Sequence, residues 1–138
     1  MEEKRNIIPY VIILLFVITL VLVGGLTNYK VEKLVCDVVQ DSCLIEKINL
    51  FNVKTKKTLV KYSQITDVTY YAQKVKGNRY GKGYREYFLA FDVNGGDNIK
   101  VFSKSYYDKN ELNKVIKNLK KEMFSGNKKD KIEYKREN

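Results

Sequence analysis

Polar and apolar positions fall into distinct periods along the chain. Residues 7 to 26, IIPYVIILLFVITLVLVGGL, are twenty residues without a charge, and fifteen of them are Ile, Leu, Val or Phe. As a helix this run spans about 30 Å, the thickness of a bilayer's hydrocarbon core. Its side chains supply roughly −5 to −9 kcal/mol on an insertion scale, an upper bound because the scale refers to mid-bilayer. Beyond it the period falls to two, which predicts strands at 28–36, 43–53, 58–62, 65–75, 84–93 and 98–103. In 65–75, Thr66, Val68, Tyr70 and Ala72 share one face. In 84–93, Tyr87, Leu89, Phe91 and Val93 share one face, with Phe88 and Ala90 on the other. The turns between them are DVVQDS at 37–42, a basic turn at Lys54–Lys57, a break at Ser63–Gln64, and NGGD at 94–97. From 109 the period becomes 3.6: Leu112, Val115, Ile116, Leu119 and Met123 form one stripe over 109–125. Asp108 and Glu111 have capping-box spacing, and Gly126 stands at the expected stop. Residues 127 to 138 are charged with no periodic pattern, which predicts a disordered tail.

The expected organisation is a short flank at 1–6, a transmembrane helix at 7–27, an α+β domain at 28–126 and the tail. Pro9 lies in the first turn, where its missing N–H costs nothing, and Tyr10 and Tyr29 bracket the run as interfacial aromatics. Val23 and Gly25 match the small residues before a signal-peptidase cut. The apolar run is longer than a signal peptide's 7 to 15 residues, which favours an uncleaved anchor. Lys4 and Arg5 on one side nearly tie with Lys30 and Lys33 on the other. The short basic start points to an N-terminus inside and a domain exported.

The net charge of +10 resides outside the anchor and favours contact with phosphate-bearing partners or, equally, is compositional drift. The chain has no His, so the commonest acid–base group and the commonest zinc ligand are both absent. Two Cys cannot make a Cys-type zinc site, and there is no phosphate-loop or dinucleotide fingerprint. These features argue against an enzyme, and no cofactor or metal is expected. Cys36 and Cys43 flank six residues across the first hairpin. Paired, they close a ring that stabilises by roughly 2 to 3 kcal/mol and place the domain outside the cytosol. Unpaired, they are small apolar residues. The segment 74–85, KVKGNRYGKGYR, reads as a flexible hairpin loop. Its Lys74, Lys76, Arg79, Lys82 and Arg85 interleave with three glycines, Tyr80 and Tyr84, and no acid. It is a candidate anion-binding loop or a solvated tip.

The C-x6-C pair soon after the apolar run, YSQI at 62–65, EYFLAFDV at 86–93 and a terminal helix ending near FSG resemble small bacterial membrane proteins with a pleckstrin-homology-like (PH-like) domain. The resemblance spans roughly 29–125 and implies a curled antiparallel sheet of about six strands capped by the helix. It carries over no catalytic residue. Similar proteins often have two membrane spans, and lipid-binding PH domains carry basic residues between their first two strands. Here there is one span, and that loop holds Asp37 and Asp41. The expected function is a membrane-anchored, non-enzymatic binding or scaffold module, with a protein partner. The alternative is anionic lipid or polymer held by 74–85. An exported domain disfavours nucleic acid.

Overall fold

The computed structural model describes residues 7–126 and 129–137, so the flank at 1–6 lies outside the described residues. Helix α1, Ile8–Thr27, is exposed along its length except at half-buried Gly24 and buried Gly25, and it is long and apolar enough to cross a membrane. Seven strands follow: β1 (Tyr29–Asp37), β2 (Ser42–Asn49), β3 (Lys54–Val60), β4 (Ile65–Val75), β5 (Tyr84–Val93), β6 (Asn98–Lys100) and β7 (Lys131–Glu137). A 3-10 turn, Tyr62–Gln64, precedes β4, and helix α2, Lys109–Phe124, precedes β7. The strands form two antiparallel sheets, ordered β3-β2-β1-β7 and β4-β5-β6. The class is α+β as expected, with two sheets in place of one curled sheet.

The core lies between the sheets and under α2. Leu34, Cys36, Cys43 and Ile45 meet Val68, Leu89, Phe91 and Phe102, and the α2 stripe of Leu112, Val115, Leu119 and Met123 closes the space. Asp108 caps α2 by accepting from the Asn110 amide at 2.8 Å, and Ser125 is the C-cap, which puts Gly126 just past the helix end as expected. Two polar ties hold the helix to the second sheet's entry. Tyr62 donates to the Met123 carbonyl at 2.7 Å, and Lys120 pairs with Asp67 at 2.9 Å.

The structure corrects the sequence reading in five places. First, most of the expected disordered tail is strand β7, which pairs with β1 from Val31↔Glu137 to Asp37↔Lys131. The domain therefore reaches Glu137, while residues 127, 128 and 138 lie outside the described residues. Ile132 is fully buried opposite Cys36, and Tyr134 lies 5.8 Å from Phe102. Second, Lys54–Lys57 is not a turn but the start of β3, an edge strand on which Lys56 pairs with Glu46 at 2.9 Å. Edge strands tolerate lysines because one side of the backbone faces water. Third, β2 ends at Asn49 rather than 53. The Asn49 side chain accepts from the amides of Phe51 (3.0 Å) and Val53 (2.9 Å), and so folds the turn itself. Fourth, a register irregularity between Ile65 and Asp67 removes Thr66 from the face of Val68. Ile65 and Val68 both enter the core, and the exposed Thr66 donates to the Asp92 carbonyl at 3.0 Å. Fifth, β6 ends at Lys100, three residues short of expectation, although Val101 still donates to the Leu89 carbonyl at 2.9 Å.

Strand β5 is buried on both faces at its centre. Leu89 and Phe91 face the core. On the other face Phe88 is stacked on Tyr71, 5.2 Å between centroids, with the Lys100 ammonium 3.8 Å from its ring centre. Burial lowers the pKa of that ammonium, an effect partly offset by Glu32 and Glu86.

Candidate functional site

The first feature singled out in the sequence is now a bonded pair. Cys36 and Cys43 face each other in the β1–β2 register, are fully buried and form a disulfide. The acidic loop between them is used for structure. Asp37 accepts from the Gln40 amide at 2.8 Å. Asp41 has a left-handed backbone (φ 49°), and its carboxylate accepts from the Ser63 amide at 2.6 Å and the Ser63 hydroxyl at 2.8 Å. These bonds hold the Asp41 carboxyl below its ordinary pKa. Both acids in this loop therefore have intramolecular work to do.

The second feature, 74–85, is more regular than a flexible loop. The β4–β5 ladder runs out to Lys74↔Arg85 and Val75↔Tyr84, and a further bridge joins Asn78 to Gly81. The Asn78 amide donates to the Gly81 carbonyl at 3.0 Å, and the Gly81 amide returns a bond at 3.2 Å. The Asn78 side chain also accepts from the Tyr80 amide at 2.9 Å. Gly77 and Gly83 let the two strands approach closely. A Cβ at Gly77 would lie 2.6 Å from the Gly83 nitrogen, and one at Gly83 would lie 2.8 Å from the Val75 carbonyl oxygen. Any side chain at either position would push the backbones apart.

The structure brings Lys74 and Arg85 together as direct cross-strand partners, and places Lys76, Arg79 and Lys82 in the tip beyond them. All five are exposed, and none has an ion pair among the described residues. Like charges placed directly opposite one another on a sheet are destabilising unless an anion lies between them. By strand alternation Lys74 and Arg85 continue the face of Tyr70 and Tyr87. Those two rings meet edge to face at 5.8 Å, and the Lys109 ammonium sits 5.2 Å from the centre of Tyr70. Lys109, the first residue of α2, thus adds a sixth cation beside the hairpin. Sequence reasoning missed it because only the packing of α2 on β4 brings it there. On the opposite face Tyr84 lies 6.2 Å from Tyr107, and the nearby Glu86 charge raises the Tyr84 hydroxyl's pKa.

A cleft of about 670 Å³ opens beside this face, lined by Glu86, Phe88, Lys100, Ser103, Tyr107 and Arg136 among others. Arg136 closes its floor. It donates to the Lys104 and Ser105 carbonyls at 2.6 and 2.7 Å and lies 3.8 Å over the Tyr106 ring. Burial, reinforced by Tyr134, raises the pKa of the Tyr106 hydroxyl. The cleft's lining mixes acids (Glu86, Glu111) with bases (Lys100, Arg136), whereas the hairpin loop carries bases only. Among the described residues no group of three or more His, Cys, Asp or Glu is placed to hold a metal ion.

No family model, curated protein or solved structure matches the chain.

Proposed function

We propose that this chain is a single-pass, membrane-anchored, non-enzymatic binding or scaffold module of PH-like build, held on the exported side of a bacterial cell membrane. The observation that carries this reading is the solvent-exposed apolar helix α1, joined through Asn28 alone to β1. The ring of Phe51 occupies the space beside Gly25, where a Cβ would overlap it, so the end of α1 is part of the domain's packing. A cut after Gly25 would discard that contact, which favours an anchor over a cleaved signal. The Cys36–Cys43 bond favours the exported side, because disulfides persist outside the reducing cytosol. Two packed sheets with a helix closing the core are compatible with the PH-like reading, although β7 adds a strand after that helix.

Sidedness is tested with Tyr80→Cys, at a position 91% exposed on the hairpin tip. The expected result is labelling in intact cells by a membrane-impermeant maleimide. Cys36 and Cys43 are expected to take label only after denaturation together with reduction. Label at position 80 only after lysis, or at Cys36 and Cys43 in denatured but unreduced protein, overturns the exported placement.

A second reading has a specific observation in its favour: among the described residues the hairpin's five cations form no ion pair. In this reading 74–85 holds an anionic lipid headgroup or polymer. With the full chain in zwitterionic nanodiscs, binding to anionic vesicles should weaken about fivefold for Arg79→Ala, the equivalent of about 1 kcal/mol per basic residue. It should be lost when Lys74, Lys76, Arg79, Lys82 and Arg85 are all reversed to Glu. Binding that survives the fivefold reversal, or that ignores salt, eliminates this reading.

A further inference from the structure

We infer that the β2–β3 turn is a lipid-inserting wedge that seats the domain on the bilayer holding α1, an inference that rests on the membrane-anchor reading. The turn comprises Leu50, Phe51, Asn52 and Val53. Its three apolar side chains are 55%, 46% and 47% exposed, in a domain whose other large aliphatic side chains are mostly in the core. An isolated soluble domain gains nothing from such a cluster.

The turn is built to present these side chains. Buried Asn49 holds the Phe51 and Val53 amides through its side chain and bonds the Val53 carbonyl through its own amide at 3.1 Å. Asn52 takes the left-handed conformation (φ 62°) that reverses the chain. All four amides of the turn are thus satisfied internally, which lowers the cost of bringing it to an apolar phase.

Its position names the occupant. The Leu50 amide donates to the Asn28 carbonyl at 3.2 Å, and Phe51 packs on Gly25, the buried residue of α1. The turn therefore lies against the face of α1 that also carries Val21 and Leu22, which are 60% and 50% exposed, and its apolar surface runs on from theirs. One continuous surface cannot have its helix in lipid and its turn, clamped to the same helix end, far from it. Lys30 bonds the Asn52 side chain, and exposed Lys54 follows the turn directly. Cations flanking an apolar tip match the boundary between headgroups and acyl chains, where such side chains sit about 5–10 Å deep.

The chain contains no Trp, so a single introduced indole reports alone. Leu50→Trp is the probe, because Leu50 is the most exposed of the three and it is the Phe51 ring that lies nearest Gly25. Phe16→Trp, in the middle of α1, is the reference. The full chain is reconstituted at high lipid-to-protein ratio in phosphatidylcholine vesicles carrying bromines at shallow or deep acyl positions. The expected result for Leu50→Trp is a blue-shifted emission, quenched more by shallow than by deep bromines and little by aqueous iodide. Phe16→Trp should be quenched most by deep bromines. If Phe16→Trp behaves so while Leu50→Trp is quenched by iodide and not by bromolipid, the wedge is wrong and the anchor stands. If Phe16→Trp escapes deep bromines, the anchor reading fails and takes the wedge with it. Shielding of Leu50→Trp that disappears on lipid dilution assigns the turn to a second copy instead and also overturns the inference. Val53→Trp repeats the measurement should Leu50→Trp fail to fold.

Discussion

A chain ended after Gly126 should lose about 4 kcal/mol or more of stability, read as a lower urea midpoint for the domain in nanodiscs. That is a large part of the 5 to 15 kcal/mol usual for a domain. The truncation removes β7, and with it fully buried Ile132, the packing of Tyr134 on Phe102 and the Arg136 clamp over Tyr106. It also strips one of the two partners from β1, whose residues Leu34, Val35 and Cys36 are buried, and makes β1 an edge strand. An unpaired apolar edge of this kind recruits other chains, so self-association should accompany the loss. Ile132→Ala isolates the packing contribution and should cost about 2 to 4 kcal/mol, with β7 still paired. An unchanged midpoint after truncation would show that β7 is not part of the cooperative unit.

The second large effect centres on Glu32, a fully buried carboxylate on β1. It accepts from the Ser103 amide at 3.1 Å and from the Ser103 hydroxyl, and pairs with Lys47 at 3.1 Å. Burial alone would raise its pKa. The two Ser103 bonds and Lys47 together outweigh burial, and the net shift is downward. Glu32→Ala leaves the Ser103 amide unsatisfied and Lys47 without its counter-charge. The expected loss is about 3 kcal/mol, moderated because Lys47 can turn to solvent. The pH dependence follows from the sign. A carboxyl whose folded pKa is depressed contributes stability that is present above its unfolded pKa of about 4.5. That stability is lost as pH falls through the lower folded value. The urea midpoint of the natural chain should therefore fall on acidification below that point, and Glu32→Gln should flatten the slope. The partly exposed pairs of Glu46 and Asp67 add less to it, because water screens them. An identical acid slope in Glu32→Gln would rule out this assignment.

The two strands read most accurately were β4 and β5, whose bounds match the expectation. Their apolar alternation is strong and a glycine-rich reversal separates them, so local signals alone define the hairpin. Strand β7 was hidden for the opposite reason. Only Ile132 and Tyr134 carry its alternation, among five charged residues, and its pairing partner β1 lies about a hundred residues away in the chain. The edge strand β3 was masked likewise by its lysines. Of the candidate site, the basic hairpin and the cysteine pair were legible because each is compact in sequence. Lys109 beside Tyr70, and Phe51 against Gly25, were not, since tertiary packing alone creates them. The acidic loop at 37–42 was legible as unlike the basic loop of lipid-binding PH domains, and its hydrogen bonds to Gln40 and Ser63 give it a structural use.

The junction at Asn28 has a mechanical consequence. Its amide and its side chain both bond the Gly24 carbonyl, at 3.1 and 2.7 Å, and its own carbonyl accepts from Leu50. One residue with three such bonds is a stiff coupling and not a tether. A tilt or rotation of α1 would pass into β1 as into the arm of a lever and move the whole first sheet. The second sheet shares its core with the first, so the hairpin tip at 74–85 would turn with the helix although it lies far from it in the chain.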